Sequence, residues 1–277
     1  MAEKKLRIIL FITLLLMAVF PVHSAAATWA ELVYDADVPP KMRENIAKTV
    51  DAVANQLTKY NITLRDKIKV VVTADAERYI QAWMLYGKKS RAKAEEGAKG
   101  FAGASNSRKP VILIRGRPEL NDDPEEAFHI LPHEIFHQVQ DQGYGKDLVP
   151  WLSEGSADLF TLEVLETVGY GKVNDFVSNA EDRIRQAPAI HDVRELANYN
   201  YQTYTSLAQK GYPVYEMSAV MAAHLVQDNG FENVILYYQL LHNGTAPDKA
   251  FLTAFRVPMA RFLSDMNAYF DKLRSGR

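Results

Sequence analysis

The string His133-Glu134-Ile135-Phe136-His137 constrains this chain more than any other feature of its sequence. Residues four apart lie one above the other on the same face of an α-helix. Both imidazoles can therefore reach one metal ion if the stretch is helical. Glu134 projects to the side, where it can touch a water on that ion without being a ligand itself. Ile135 and Phe136 are apolar, as a helix running through a protein interior requires. Two imidazoles leave a tetrahedral zinc short of one protein ligand, with a further position open to water. A fold that uses this string must bring a second segment against the first helix.

The segment Val149-Pro-Trp-Leu-Ser-Glu154-Gly-Ser-Ala-Asp158 is the candidate. It starts a second helix, and Gln142–Lys146 can turn the chain so that this helix runs back antiparallel. Taken alone, Glu154 is a first-turn acid favoured by the helix dipole. With the histidine pair upstream it becomes the candidate third ligand. Gly155 lets two helix backbones approach closely, and Ala157 keeps the facing surface small. Asp158 lies four residues after Glu154 on the same face. It can accept a hydrogen bond from the free N–H of a liganding histidine, with His133 the expected donor, and such a bond fixes the tautomer. His129 lies a further turn away from the pair, so it reads as a structural or rim histidine. His191, His224 and His242 have no partner pattern.

The rest of the chain predicts an α+β protein, with a small mixed-sheet lobe to about residue 120 followed by a mainly helical lobe. Helical patterns cover about Met42–Tyr60 and a stretch through Tyr79–Gly87. Lys67–Val72 and Val111–Ile114 are apolar and β-branched and read as strands. Lys88–Pro110, rich in Lys, Arg, Ala, Gly and Ser, reads as a mobile surface loop. Asp123-Pro-Glu-Glu is a helix start. Further helices are expected over about 124–142, 150–168, 172–185, 214–228, 231–241, 247–255 and 258–274. Pro132 removes a helical hydrogen bond, so the helix from Asp123 is either kinked there or begins anew.

Residues 1–27 read as a secretory signal. Lys4, Lys5 and Arg7 precede an apolar run to Phe20, Pro21 breaks it, and Ser24-Ala-Ala-Ala27 offers cleavage near Ala26 or Ala27. The mature chain, 28–277, is then secreted or periplasmic, with no stable membrane span after cleavage. The alternative is an uncleaved N-terminal anchor. The chain has no cysteine, so no disulfide supports an exported fold, and stability falls to the core and a metal. A formal charge of -2 gives no basic field for nucleic acid. It leaves the oligomeric state open.

Together, these motifs resemble those of the gluzincin peptidases, in particular the peptidase MA-like superfamily. Those proteins carry H-E-x-x-H, here His133–His137, then W-L-x-E-G-x-A, here Trp151-Leu-Ser-Glu-Gly-Ser-Ala157. A tyrosine-led helix follows, here Tyr215–Leu225, then a glycine and another helix, here Gly230–Leu241. The resemblance runs from roughly Met42 to Leu241. It implies a thermolysin-like zincin domain, one Zn2+ per chain on His133, His137 and Glu154, and hydrolysis of a peptide or protein substrate with Glu134 as general base. It also implies that Tyr215 stabilises the oxyanion, with Tyr201, Tyr204 and Tyr212 as nearby competitors. The chain carries no G-x-M-E-N-like exopeptidase motif, which favours an endopeptidase. The substrate is expected to lie extended along Val111–Ile114 as an added strand. The rival expectation is a non-catalytic protein of the same fold that holds a peptide or cell-envelope partner.

Overall fold

The computed structural model describes residues 29–100, 102–106, 109–144, 148–197 and 200–276. The expected signal segment and its cleavage point lie outside them. Two short apolar segments organise the first part. β2 (Ile68–Val72) and β4 (Val111–Ile114) pair in parallel, with Val70 opposite Ile112 and Val72 opposite Ile114. β1 (Ala30–Tyr34) adds in parallel to β2, and β3 (Gly103–Asn106) adds antiparallel to β4. The order is β1-β2-β4-β3. Strands buried on both faces need no polar alternation, and the two central strands have almost none.

The sheet therefore has two apolar faces. Ile68, Val70, Val72, Ile112 and Ile114 face the main core, shared with α1 (Pro40–Lys59) and the later helices. Val71, Val111 and Leu113 face a smaller cluster with Tyr79 and Ala82 of α2 (Ala76–Gly87) and Ala98 of α3 (Arg91–Gly100). α2 is started by Asp75, whose carboxylate accepts from the Arg78 N–H at 2.8 Å.

After α4 (Pro118–Asp122) the chain is helical: α5 (Pro124–Tyr144), α6 (Pro150–Val168), α7 (Val173–Gln186), α8 (Val193–Leu196) and α9 (Tyr201–Gln209). Then come α10 (Val214–Asn229), α11 (Glu232–His242), α12 (Pro247–Phe255) and α13 (Met259–Ser275). A small four-stranded sheet followed by helices makes the protein α+β. α6 buries 14 of its 19 residues and is the central helix, with α5 on one side and α10 on another. α5 continues as one helix through Pro132. No described helix is long and apolar enough to cross a membrane.

Two expectations are corrected. Lys88–Pro110 is no loop: it holds α3 and β3. Among the residues of α3 whose burial is described, Ala94 and Ala98 alone are buried, so it lacks a large-residue periodicity, and β3 (Gly-Ala-Ser-Asn) is held by backbone pairing with no apolar residue larger than alanine. Val111–Ile114 is no edge either. β2 and β3 occupy both of its sides, and the exposed edge on that flank is β3.

Candidate metal centre

α5 and α6 bring His133, His137 and Glu154 together. The two Nε2 atoms are 3.0 Å apart. His133 Nε2 lies 3.3 Å from one Glu154 oxygen, and His137 Nε2 lies 3.5 Å from the other. Glu154 is buried, at 6% side-chain exposure, although it is the charged member. The close helix contact behind it depends on Gly155. A Cβ there would sit 2.2 Å from the Ser218 carbonyl oxygen of α10.

The outer nitrogens are fixed by hydrogen bonds. His133 Nδ1 lies 2.9 Å from Asp158 Oδ1, and a carboxylate can only accept, so this nitrogen carries the proton. His137 Nδ1 lies 2.8 Å from Gln140 Oε1. The Gln140 amide has one possible orientation, because its Nε2 faces the backbone carbonyl of Ser153 at 2.9 Å and a carbonyl only accepts. Its Oε1 must then receive His137 Nδ1–H and the Ser153 hydroxyl, the latter at 2.8 Å. Tyr238 and Ser156 complete the cage around the amide nitrogen at 3.0 and 3.1 Å. Neutral imidazoles so locked turn two bare Nε2 lone pairs toward each other and toward a carboxylate. Lone pairs converging in this way repel unless a cation lies among them.

That donor set fits a tetrahedral ion. Bonds of about 2.0–2.1 Å at tetrahedral angles put neighbouring donors about 3.3–3.4 Å apart. The three distances above bracket that value, and the group could hold a metal ion. Without one, a proton is the substitute. Burial opposes charge on both histidines, but Asp158 and Glu154 outweigh it, and His133 rises well above the usual imidazole value. Burial also opposes the charge on Glu154, yet the two imidazoles hold its carboxyl far below the usual range.

Glu134 lies beside the triad and outside it. Burial pushes its carboxyl up, while the two imidazoles and the nearby Ser105 backbone pull the other way. Its stem packs on β3, where a Cβ on Gly103 would lie 3.0 Å from Glu134 Cγ. His129 stands apart, 3.2 Å from Glu125 on the helix surface.

The tyrosines separate by contact. Tyr204 is buried with its hydroxyl on the Val214 carbonyl and Ser218 Oγ, at 2.9 and 2.7 Å. Tyr212 packs on His191. Tyr201 donates to Glu154 Oε1. Tyr215 stands edge-on to Tyr204, half-buried, and burial together with Glu154, Asp158 and Glu134 keeps its hydroxyl protonated.

Sequence reasoning missed Gln140 and the flanking role of β3. The signal for Gln140 was available: a glutamine three residues after His137, on the same helix face, inside a buried run. No protein-family model and no curated protein matches the chain.

Proposed function

We propose that this chain is a zinc-dependent peptidase of the gluzincin kind with a thermolysin-like catalytic domain, acting outside the cytoplasm on peptide or protein substrates as an endopeptidase. One observation carries the reading. Two tautomer-locked imidazoles and a buried carboxylate converge at tetrahedral spacing with a second acid, Glu134, at their side. The set has the histidine–histidine–glutamate composition of catalytic zinc sites, which keep a position open.

Zinc in this site supplies Lewis acidity, lowering the pKa of water and polarising a carbonyl oxygen. The protein's own groups do the rest. Asp158 and Gln140 hold both Nε2 atoms deprotonated and aimed inward. Glu134, raised in basicity by burial, takes the proton of the attacking water and passes it to the leaving amine. Tyr215, kept neutral, donates its hydroxyl to the oxyanion.

The test is metal content and proteolysis in residues 28–277, purified without chelator, beside Glu154→Ala and Glu134→Gln. The expected result is one zinc per chain in the wild type and in Glu134→Gln, and loss of zinc in Glu154→Ala. Cleavage of unfolded protein is expected in the wild type alone. Wild-type protein that takes up no zinc at neutral pH would end the enzyme reading. Zinc without cleavage would favour a binding protein of this fold.

A further inference from the structure

Behind β3, on the face of the sheet turned away from the triad, lies a cavity of about 370 Å³. That is within the size range of ligand pockets, about 300–1,000 Å³. Trp83 and Tyr86 of α2 wall one side, and Ala104, Asn106 and Leu113 the other, with Lys89 at the mouth. The walls are built in advance. Trp83 stands edge-on to Tyr79, with ring centroids 6.3 Å apart, and its indole lies 3.5 Å from where a Cβ on Gly97 would be. Asn106 Nδ2 donates to the Tyr86 carbonyl at 3.2 Å and ties β3 to the end of α2.

The register of β3 connects this cavity to the metal centre. Gly103 and Ser105 face α5: the first packs on Glu134, and the hydroxyl of the second accepts from Gln138 Nε2 at 2.5 Å. Ala104 and Asn106, opposite Leu113 and Val111, face the cavity. In an antiparallel pair, alternate residues turn their N–H and C=O away from the partner strand. Ser105 is such a residue: the Arg115 N–H donates to the Ala102 carbonyl at 2.9 Å, so in this register Ala104 and Asn106 turn their N–H and C=O toward β4, and Gly103 and Ser105 turn theirs outward. Among the described residues β3 pairs only with β4, so its outer edge can accept another strand. Side chains of an added strand alternate between the two faces. If one faces Glu134, its neighbour in the chain faces the cavity.

We propose that this cavity receives a large apolar or aromatic side chain of an extended polypeptide lying along β3, adjacent in sequence to a residue that faces the metal centre. The proposal rests on the peptidase reading for its substrate. The indole and phenol rings supply apolar contact at little entropic cost. The Lys89 ammonium is exposed and forms no ion pair among the described residues, so it repels lysine and arginine side chains from the mouth. The site thus selects by shape and by exclusion of like charge.

The experiment is cleavage of a degenerate peptide mixture by the zinc-loaded protein, with cut sites mapped by mass spectrometry, for wild type, Ala104→Trp and Lys89→Glu. Ala104→Trp fills the cavity from a strand position that tolerates aromatic residues. Lys89→Glu reverses an exposed charge with no cost to the core. The expected wild-type profile prefers Phe, Tyr, Leu or Met, and excludes Lys and Arg, at one fixed position relative to the cut. Ala104→Trp should lower that preference by about tenfold or more. Lys89→Glu should admit Lys and Arg there by about threefold to tenfold. Identical profiles in all three proteins would overturn the proposal while leaving the peptidase reading intact. If nothing is cut, the peptidase reading fails, and anisotropy of a fluorescein-labelled Gly/Ser decapeptide with one central Phe decides the cavity. Binding that Ala104→Trp weakens would support it, and no binding, or equal binding, would overturn it.

Discussion

Gly155→Ala tests how Glu154 is placed. The added Cβ would meet the Ser218 carbonyl oxygen at 2.2 Å and the Ser218 carbonyl carbon at 2.7 Å, where ordinary contact begins at 3.4 Å. Both obstacles are backbone inside α10, so no rotamer change relieves them. α6 must move away from α10 by about an ångström, and Glu154 moves with it. Overpacking of a closed core costs about 1–3 kcal/mol. For a chain of this size, about 2 kcal/mol lowers Tm by roughly 4–8 °C. The displaced carboxylate no longer matches the spacing set by the two Nε2 atoms, so zinc affinity should fall about tenfold or more, at least the loss typical of a disturbed outer partner. Urea unfolding of the metal-free protein reads the first effect, and competition with a chromogenic chelator reads the second. Gly171→Ala is the control, because a Cβ there meets nothing within 4 Å. Wild-type stability together with wild-type zinc affinity in Gly155→Ala would refute the argument that the α6–α10 contact positions the ligand.

Three further outcomes follow from the same geometry. Gln140→Leu removes the acceptor for both His137 Nδ1 and the buried Ser153 hydroxyl; zinc affinity should drop about 10–100-fold, with a stability loss of about 1–3 kcal/mol in urea unfolding. Tyr215→Phe should lower kcat about 10²–10³-fold with little change in KM or zinc content, whereas Tyr201→Phe should alter zinc affinity; the reverse pattern would reassign the oxyanion donor. In the metal-free protein, His133 and His137 bind protons above the ordinary imidazole value of 6.5 because Asp158 and Glu154 outweigh burial. Their contribution to stability is full below 6.5 and is lost as pH rises through the raised folded values. Zinc requires deprotonated imidazoles, so the stabilisation it adds should grow with pH. Thermal unfolding with and without zinc, from about pH 6 to about pH 9, should show opposite slopes in its metal-free and zinc-added components.

The histidine pair, Glu154 and Asp158 were legible in the sequence because helical spacing converts directly into a shared face. Once His133 and His137 lie on one helix, a carboxylate and its i+4 partner on the next helix have a defined place to go. The two apolar strands were legible because β-branched runs have few other uses. β3 was not, because Gly103–Asn106 has no side-chain signature and becomes a strand through pairing with β4. α3 was hidden because its apolar face is only alanine. α9, Tyr-Gln-Thr-Tyr-Thr-Ser-Leu-Ala-Gln, is polar and short, and its Asn200 cap, accepting from Thr203 N–H at 2.9 Å, was the one local sign of it. The edge beside Glu134 was therefore assigned to the neighbouring strand.

The seam between α5 and α6 is packed largely by side chains that lie outside the metal triad. Phe136 of α5 stacks on Phe160 of α6 at 5.0 Å, and Gln140 of α5 donates to the Ser153 carbonyl of α6 at 2.9 Å and accepts from the Ser153 hydroxyl at 2.8 Å. Metal loading should then be a local exchange reaction rather than a folding event, unlike the small zinc domains that collapse when stripped. The amides of α6 should exchange with deuterium only through global opening, at nearly the same rate with or without zinc, apart from the ion's own contribution to global stability. A chelator should strip the ion while leaving circular dichroism unchanged, and added zinc should rebind on the timescale of diffusion and ligand deprotonation, with no refolding phase.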